Sequence, residues 1–303
     1  MKKWIIFAVL LLGLSVLGSG KAQPQGVAAY KACDTGQCVH EYIAGEATYL
    51  YISDEIYDYL ADIINGATDE DVLDHVYDRS GACVTITHFW DPDKGTDHEV
   101  YSVFCQEDNA WLKARQLWGM ALGEYYSGDK HTAYEYLGHV AHLLSDMTVP
   151  AHAHEDTHVY PDEFDDVFMT EARAQISESE LDWLRDLGLV QIPAGVGELY
   201  YLFYTTAQVG DFYASDDDPG DSDDPEGWAA DLISGLENNP EANVSECREA
   251  GGPEDDCDLN VIRKYSYLYS LRAVASLYKL FEKTTKRQSE LAVVIDSIQQ
   301  LEG

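Results

Sequence analysis

His142 and Asp146 lie four residues apart in the run Leu137-Gly-His-Val-Ala-His-Leu-Leu-Ser-Asp146. In a helix that spacing sets an imidazole and a carboxylate one above the other on a single face. Pro150 ends the helix a turn later, because proline disfavours helical geometry in the residue before it. His152 follows in what reads as a loop, and His158 with Asp162 repeats the four-residue spacing. A lone pair of this kind is ordinarily a surface hydrogen bond. Two pairs flanking a further histidine make a donor inventory suited to zinc, and large enough for more than one ion. His139 and His154 are surplus to the pattern and read as surface residues or as supports behind the ligands.

The rest of the chain has helical spacing too. Apolar and aromatic residues recur at three and four from Val39 to Ile64, with Asn65-Gly66 as the stop signal. Further helices are predicted over Ala110–Tyr126 and His131–Leu144, separated at Ser127-Gly128-Asp129, and over Asp162–Leu187, Val196–Tyr213, Trp228–Glu237 and Leu259–Leu301. No run alternates as strands do, so the fold class predicted is all-α, a single multi-helix domain over residues 23–303. Residues 1–22 read as a secretory signal peptide: Lys2 and Lys3, an apolar stretch from Trp4 to Leu17, then small residues up to Ala22. That stretch is shorter than the roughly 20 residues that span a bilayer, which disfavours an uncleaved anchor. Cleavage is expected after Ala22, with Gly20 as the alternative. The destination is then secreted or periplasmic, with no transmembrane segment after signal removal. Six cysteines in three neighbouring pairs (Cys33 and Cys38, Cys83 and Cys105, Cys247 and Cys257) suit disulfides in an oxidising compartment.

A formal net charge of -36 repels phosphate backbones, so nucleic acid is not favoured as a partner. The acidic segment Ser215 to Gly227 reads as a solvated loop, with a calcium site as the lesser alternative because the fixed spacing of a calcium loop is absent.

Two motifs carry a family resemblance. Tyr136 to His152 resembles the central motif of the zinc-dependent phospholipase C family, whose helical fold is shared with single-strand-specific zinc nucleases. Thr87-His88-Phe89-Trp90-Asp91-Pro92-Asp93 is similar to the H-F-W-D-P-D stretch of the alpha-toxin type of phospholipase C. The resemblance covers residues 40–282 in order and helical character, and these motifs in detail. It implies a metal cluster held by His40, Asp71, His88, His142, Asp146, His152, His158 and Asp162, with Asp146 bridging two ions. Asp71 is preferred to Asp74 or Asp78, and Glu163 is the alternative to Asp162. The best-known members begin their mature chain with a tryptophan that completes one zinc site. No tryptophan lies near either cleavage position here, so two or three zinc ions are expected.

The activity implied is hydrolysis of a phosphate ester: a phospholipase C acting on zwitterionic phospholipids, working as a monomer, with Asp71 as general base as well as ligand. Two other classes stay open, a single-strand nuclease or phosphomonoesterase on the same scaffold, and a secreted metal-binding protein without catalysis.

Overall fold

Most of the predicted helices form, with sharper boundaries than periodicity alone supplies. Among the described residues they are α1 (Val39–Glu46), α2 (Asp54–Asp58), α3 (Leu60–Asp69), α4 (Ala110–Ser127), α5 (Lys130–Asp146), α6 (Pro150–His154), α7 (Glu178–Leu187), α8 (Glu198–Asp211) and α9 (Leu259–Glu302). Short 3-10 turns lie at Ala47–Tyr49, Ile86–His88 and Pro92–Lys94. Two antiparallel ribbons are the only strands described: β1 (Cys33–Asp34) with β2 (Gln37–Cys38), and β3 (Glu99–Tyr101) with β4 (Gln106–Asp108). The fold is all-α in architecture, as the sequence predicts. This computed structural model describes residues 33–34, 37–71, 86–101, 106–156, 176–193, 197–215, 220 and 259–302. The signal segment, the Trp228–Glu237 helix, the first part of the Asp162–Leu187 helix, most of the acidic loop and four of the six cysteines lie outside those residues. Cys33 and Cys38 stand directly opposite each other in the β1–β2 register.

Local chemistry sets the helix ends. The predicted helix over Val39–Ile64 is interrupted, and Ser53 restarts it as the N-cap of α2 by accepting from the Ile56 N–H. Asn109 caps α4 by accepting from the Leu112 N–H, and Gly128 (φ 97°) closes that helix in the left-handed region. Asp129 then caps α5. Gly66 does not stop the chain as predicted, because α3 runs on to Asp69. Its role is close approach: a Cβ at Gly66 would lie 1.9 Å from the Glu135 carbonyl oxygen on α5. Reciprocally, a Cβ at Gly138 on α5 would lie 2.1 Å from the Ile63 oxygen on α3. Pro150 also acts differently from the prediction. It opens α6 at the first helical turn, where its fixed φ is an advantage, so His152 stands on a helix rather than a loop.

Helix α5 packs between α3 and α4, with α9 along it and α8 bridging α6 and α9. From Leu137 to Asp146 every residue of α5 is buried. An all-round buried helix is usually apolar throughout. This one carries His139, His142, Ser145 and Asp146 inward, where unpaired polar groups are costly. No helix among the described residues is long and apolar enough to cross a membrane.

Candidate metal centre

The polar residues of α5 are met from three other segments. α1 supplies His40, the turn after α3 supplies Asp71, and the 3-10 turn at Ile86–His88 supplies His88. Two groups of donor atoms close enough to share an ion result: His40, His142 and Asp146, and Asp71, His88 and His142.

The tightest grouping has four members. His88 Nδ1 lies 3.1 Å from Asp146 Oδ2 and 3.3 Å from His142 Nε2. His142 Nε2 is 3.3 Å from Asp146 Oδ2 and 3.5 Å from Asp71 Oδ1, and Asp71 Oδ1 is 3.8 Å from His88 Nδ1. Four donors held tetrahedrally at zinc bond lengths of about 2.0–2.1 Å stand about 3.3–3.4 Å apart along each edge. Five of the six edges of such a tetrahedron are therefore present, at 3.1 to 3.8 Å, on either side of that length. Asp146 Oδ2 is buried with no hydrogen-bond partner among the described residues, as an atom reserved for a cation would be.

The rings are aimed by their other nitrogens. His142 Nδ1 lies 2.7 Å from the Ala67 carbonyl. A carbonyl only accepts, so Nδ1 carries the proton and Nε2 is left as the coordinating atom. His152 Nδ1 likewise donates to the His88 carbonyl at 3.0 Å, leaving Nε2 as its coordinating atom. The Trp90 N–H returns the favour to the His152 carbonyl at 3.0 Å, which clasps α6 to the motif around His88. His40 Nδ1 is 2.8 Å from Ser145 Oγ. That hydroxyl spends its only proton on the His142 carbonyl, so it accepts from His40. His40 Nε2 then faces Asp146 Oδ1 at 3.4 Å, and its ring stacks on His142 with centroids 3.6 Å apart. Second nitrogens bound to carbonyls, hydroxyls or carboxylates are the habit of metal-ligating histidines. Asp146 thus turns one oxygen to His40 and the other to His88 and His142, an arrangement suited to bridging.

Electrostatics follow from this crowding. Burial opposes the charge of Asp146, yet His142, His40 and His152 outweigh it and hold the carboxyl well below its ordinary range. Burial also opposes protonation of His142, but Asp146 and Asp71 raise it to about 10. His40 is pushed well below its ordinary value by burial and by His142. Asp71 is raised, chiefly by burial, with His142 and His88 opposing. Its side chain is 21% exposed while those of His142, His88 and Asp146 are essentially buried, so it is the quartet's opening to solvent.

Of the eight ligands expected from the sequence, six are described: His40, Asp71, His88, His142 and Asp146 gather together, with His152 beside them, its Nδ1 3.9 Å from Asp146 Oδ2. His158, Asp162 and the alternatives Glu163, Asp74 and Asp78 lie outside the described residues. His139 and His154 are buried supports, not surface groups. His139 Nδ1 donates to Glu70 Oε2 at 2.6 Å, and His154 faces Asp211 and the Tyr213 carbonyl. Sequence reasoning missed Glu70 and Lys113, both fully buried. Nothing local marks either one, since their pairing joins segments far apart in the chain.

No protein-family description matches this chain, and no curated protein matches it. Among solved structures it is similar to the alpha toxin of Clostridium absonum, with 18% identity and a TM-score of 0.46, over 82% of this chain and 64% of that one. It is also similar to the alpha-toxin of Clostridium perfringens from the avian strain SWCP, with 17% identity and a TM-score of 0.43, over 85% and 66%. The chain therefore spans just under two thirds of the length of those proteins.

Proposed function

We propose that this protein is a zinc-dependent hydrolase of phosphate esters, and specifically a phospholipase C for zwitterionic phospholipids. The observation that supports this reading most directly is the quartet of Asp71, His88, His142 and Asp146, whose donor atoms are spaced as zinc ligands are. Imidazole and carboxylate together suit zinc better than a hard cation such as calcium. His40 with Asp146 would hold a second ion and His152 would contribute to a third, with His158 and Asp162 as its further ligands. When bound, zinc supplies Lewis acidity toward phosphate oxygens and toward water.

The protein groups divide the remaining work. Asp71 alone of the quartet reaches solvent, and burial makes it a better proton acceptor than an ordinary aspartate. It takes the proton of the attacking water as general base while oxygen bonds to phosphorus. The bond from phosphorus to the glycerol oxygen breaks, and that oxygen takes the proton Asp71 accepted, so diacylglycerol leaves neutral and Asp71 is regenerated. His142 and His152 keep fixed orientations through Ala67 and His88, so little reorganisation accompanies the charge that develops. The net charge of -36 favours a zwitterionic head group over a polyanion.

The test is phosphorylcholine release from micellar short-chain phosphatidylcholine, with single-stranded DNA as a parallel substrate. Release that stops with chelator and returns with zinc is expected. Zinc-loaded, folded protein that leaves the lipid intact but cuts the DNA would sink the lipid reading.

A further inference from the structure

Lys113 offers the cluster no donor atom, yet it is completely buried on α4. Its Nζ pairs with Glu70 Oε1 and donates to Thr87 Oγ1 at 2.9 Å. Glu70 is as deeply buried, and its other oxygen accepts from His139. Fully buried lysine and glutamate are rare. Desolvating each charge costs several kcal/mol, and a well-packed apolar pair is often as stable or more so. Stability is therefore a poor reason for this pair to exist.

Its place in the chain supplies a better one. Glu70 immediately precedes Asp71, Thr87 immediately precedes His88, and His139 lies one turn before His142 on α5. One ammonium–carboxylate centre thus ties together from behind the three segments that deliver the quartet. Glu70 Oε1 also faces His88 Nε2 at 3.8 Å, on the side of the ring away from the nitrogen that meets Asp146 and His142. His88 Nε2 is buried and has no hydrogen-bond partner among the described residues. At 3.8 Å this is a charge contact and not a hydrogen bond, but a carboxylate facing the far nitrogen favours the proton there and leaves Nδ1 free to coordinate.

We propose that Lys113 and Glu70 are a positioning pair for the metal quartet. Glu70 backs His88 and sets the approach of Asp71, and Lys113 holds Glu70 in place while anchoring the turn before His88. The inference rests on the zinc reading of the quartet and goes beyond it, since neither residue touches the ion or the substrate.

The double substitution Lys113→Met with Glu70→Gln removes both charges without stranding either. In the full chain, zinc affinity is measured by competition with a chromogenic chelator, and the metal-free melt is followed by circular dichroism. We expect a folded, cooperatively melting protein that binds one zinc equivalent about 10–100-fold more weakly than wild type. A merely structural pair would lower the metal-free melting temperature and leave the zinc constant unchanged, and that result overturns the proposal. Should the double variant not fold, Thr87→Val decides, because it removes the acceptor of the Lys113 hydrogen bond while leaving both Lys113 and Glu70 in place. Weaker zinc binding then supports the pair, and wild-type binding refutes it. Wild-type protein that takes up no zinc overturns the zinc reading and the proposal together, a pattern distinct from failure in the variants alone.

Discussion

Replacing Gly66 by alanine tests how tightly the helix crossing controls the metal centre. The added Cβ would lie 1.9 Å from the Glu135 carbonyl oxygen, and reaching the 3.4 Å of ordinary contact requires α3 and α5 to part by about 1.5 Å. The obstacle is backbone, which cannot rotate away as a side chain would. Overpacking of this kind costs up to about 3 kcal/mol. Removing glycine from a helix interior returns about 1 kcal/mol. The net loss is about 2 kcal/mol, or a fall of about 4–8 °C in melting temperature for a domain of this size. The same shift reaches the site, because Asp71 follows α3 and His142 rides on α5. Taken wholly along the direction between their donors, now 3.5 Å apart, it stretches that separation to about 5 Å. Two donors on one zinc stand at most about 4.2 Å apart. We therefore expect Gly66→Ala to lose bound zinc after dialysis, measured by elemental analysis, as well as melting lower in chelator. A variant with wild-type zinc content and wild-type melting would refute the close-crossing argument.

Four further outcomes follow from individual contacts. Asp146→Asn should lose more than one zinc equivalent, because Asp146 faces both His40 and the His88–His142 side, and elemental analysis showing full zinc content would remove it as the bridge. His142 is raised in the folded, metal-free protein from its ordinary 6.5 to about 10. Its charge therefore stabilises the fold fully below pH 6.5, and that contribution is lost as pH rises through 10, so the chelated protein should melt lower at pH 10 than at pH 7. For the same reason zinc binding at pH 8 should release close to one proton from this ring, measured by calorimetry in buffers of different ionisation heat, and a proton count of zero would contradict the assignment. Glu155, at φ 57°, accepts from the Asp91 N–H and from Lys94 and His98. Both Glu155→Ala and Glu155→Gly lose those contacts, but alanine keeps the left-handed strain, so it should melt below glycine by the equivalent of about 1 kcal/mol.

Which parts of this architecture can be read from one sequence depends on how far apart the partners are. The His142–Asp146 pair is local, and helical period alone puts both on one face. His40, Asp71 and His88 are reached only through the family resemblance, because no periodic rule connects α1, the turn after α3 and a 3-10 turn to α5. Gly66 and Pro150 were legible as punctuation but not as to kind. Glycine serves equally to end a helix and to let two backbones touch, and proline serves equally to end one helix and to begin the next. In each case the tertiary partner, Glu135 for Gly66 and the clasp at His88 for α6, decides between them.

The buried ion pair marks the far limit of such reading. Glu70 and Lys113 look like ordinary polar residues, and an acidic chain offers many carboxylates like Glu70. What distinguishes Glu70 and Lys113 is that neither has access to water, and each is the neutralising partner that makes the other tolerable. A charge placed that deep must be matched in position as well as in sign, so the three segments that carry it are held in one register. The donors one residue away, Asp71 and His88, inherit that register. On this argument the quartet's geometry is set before any ion arrives, by a pair that the ion never meets.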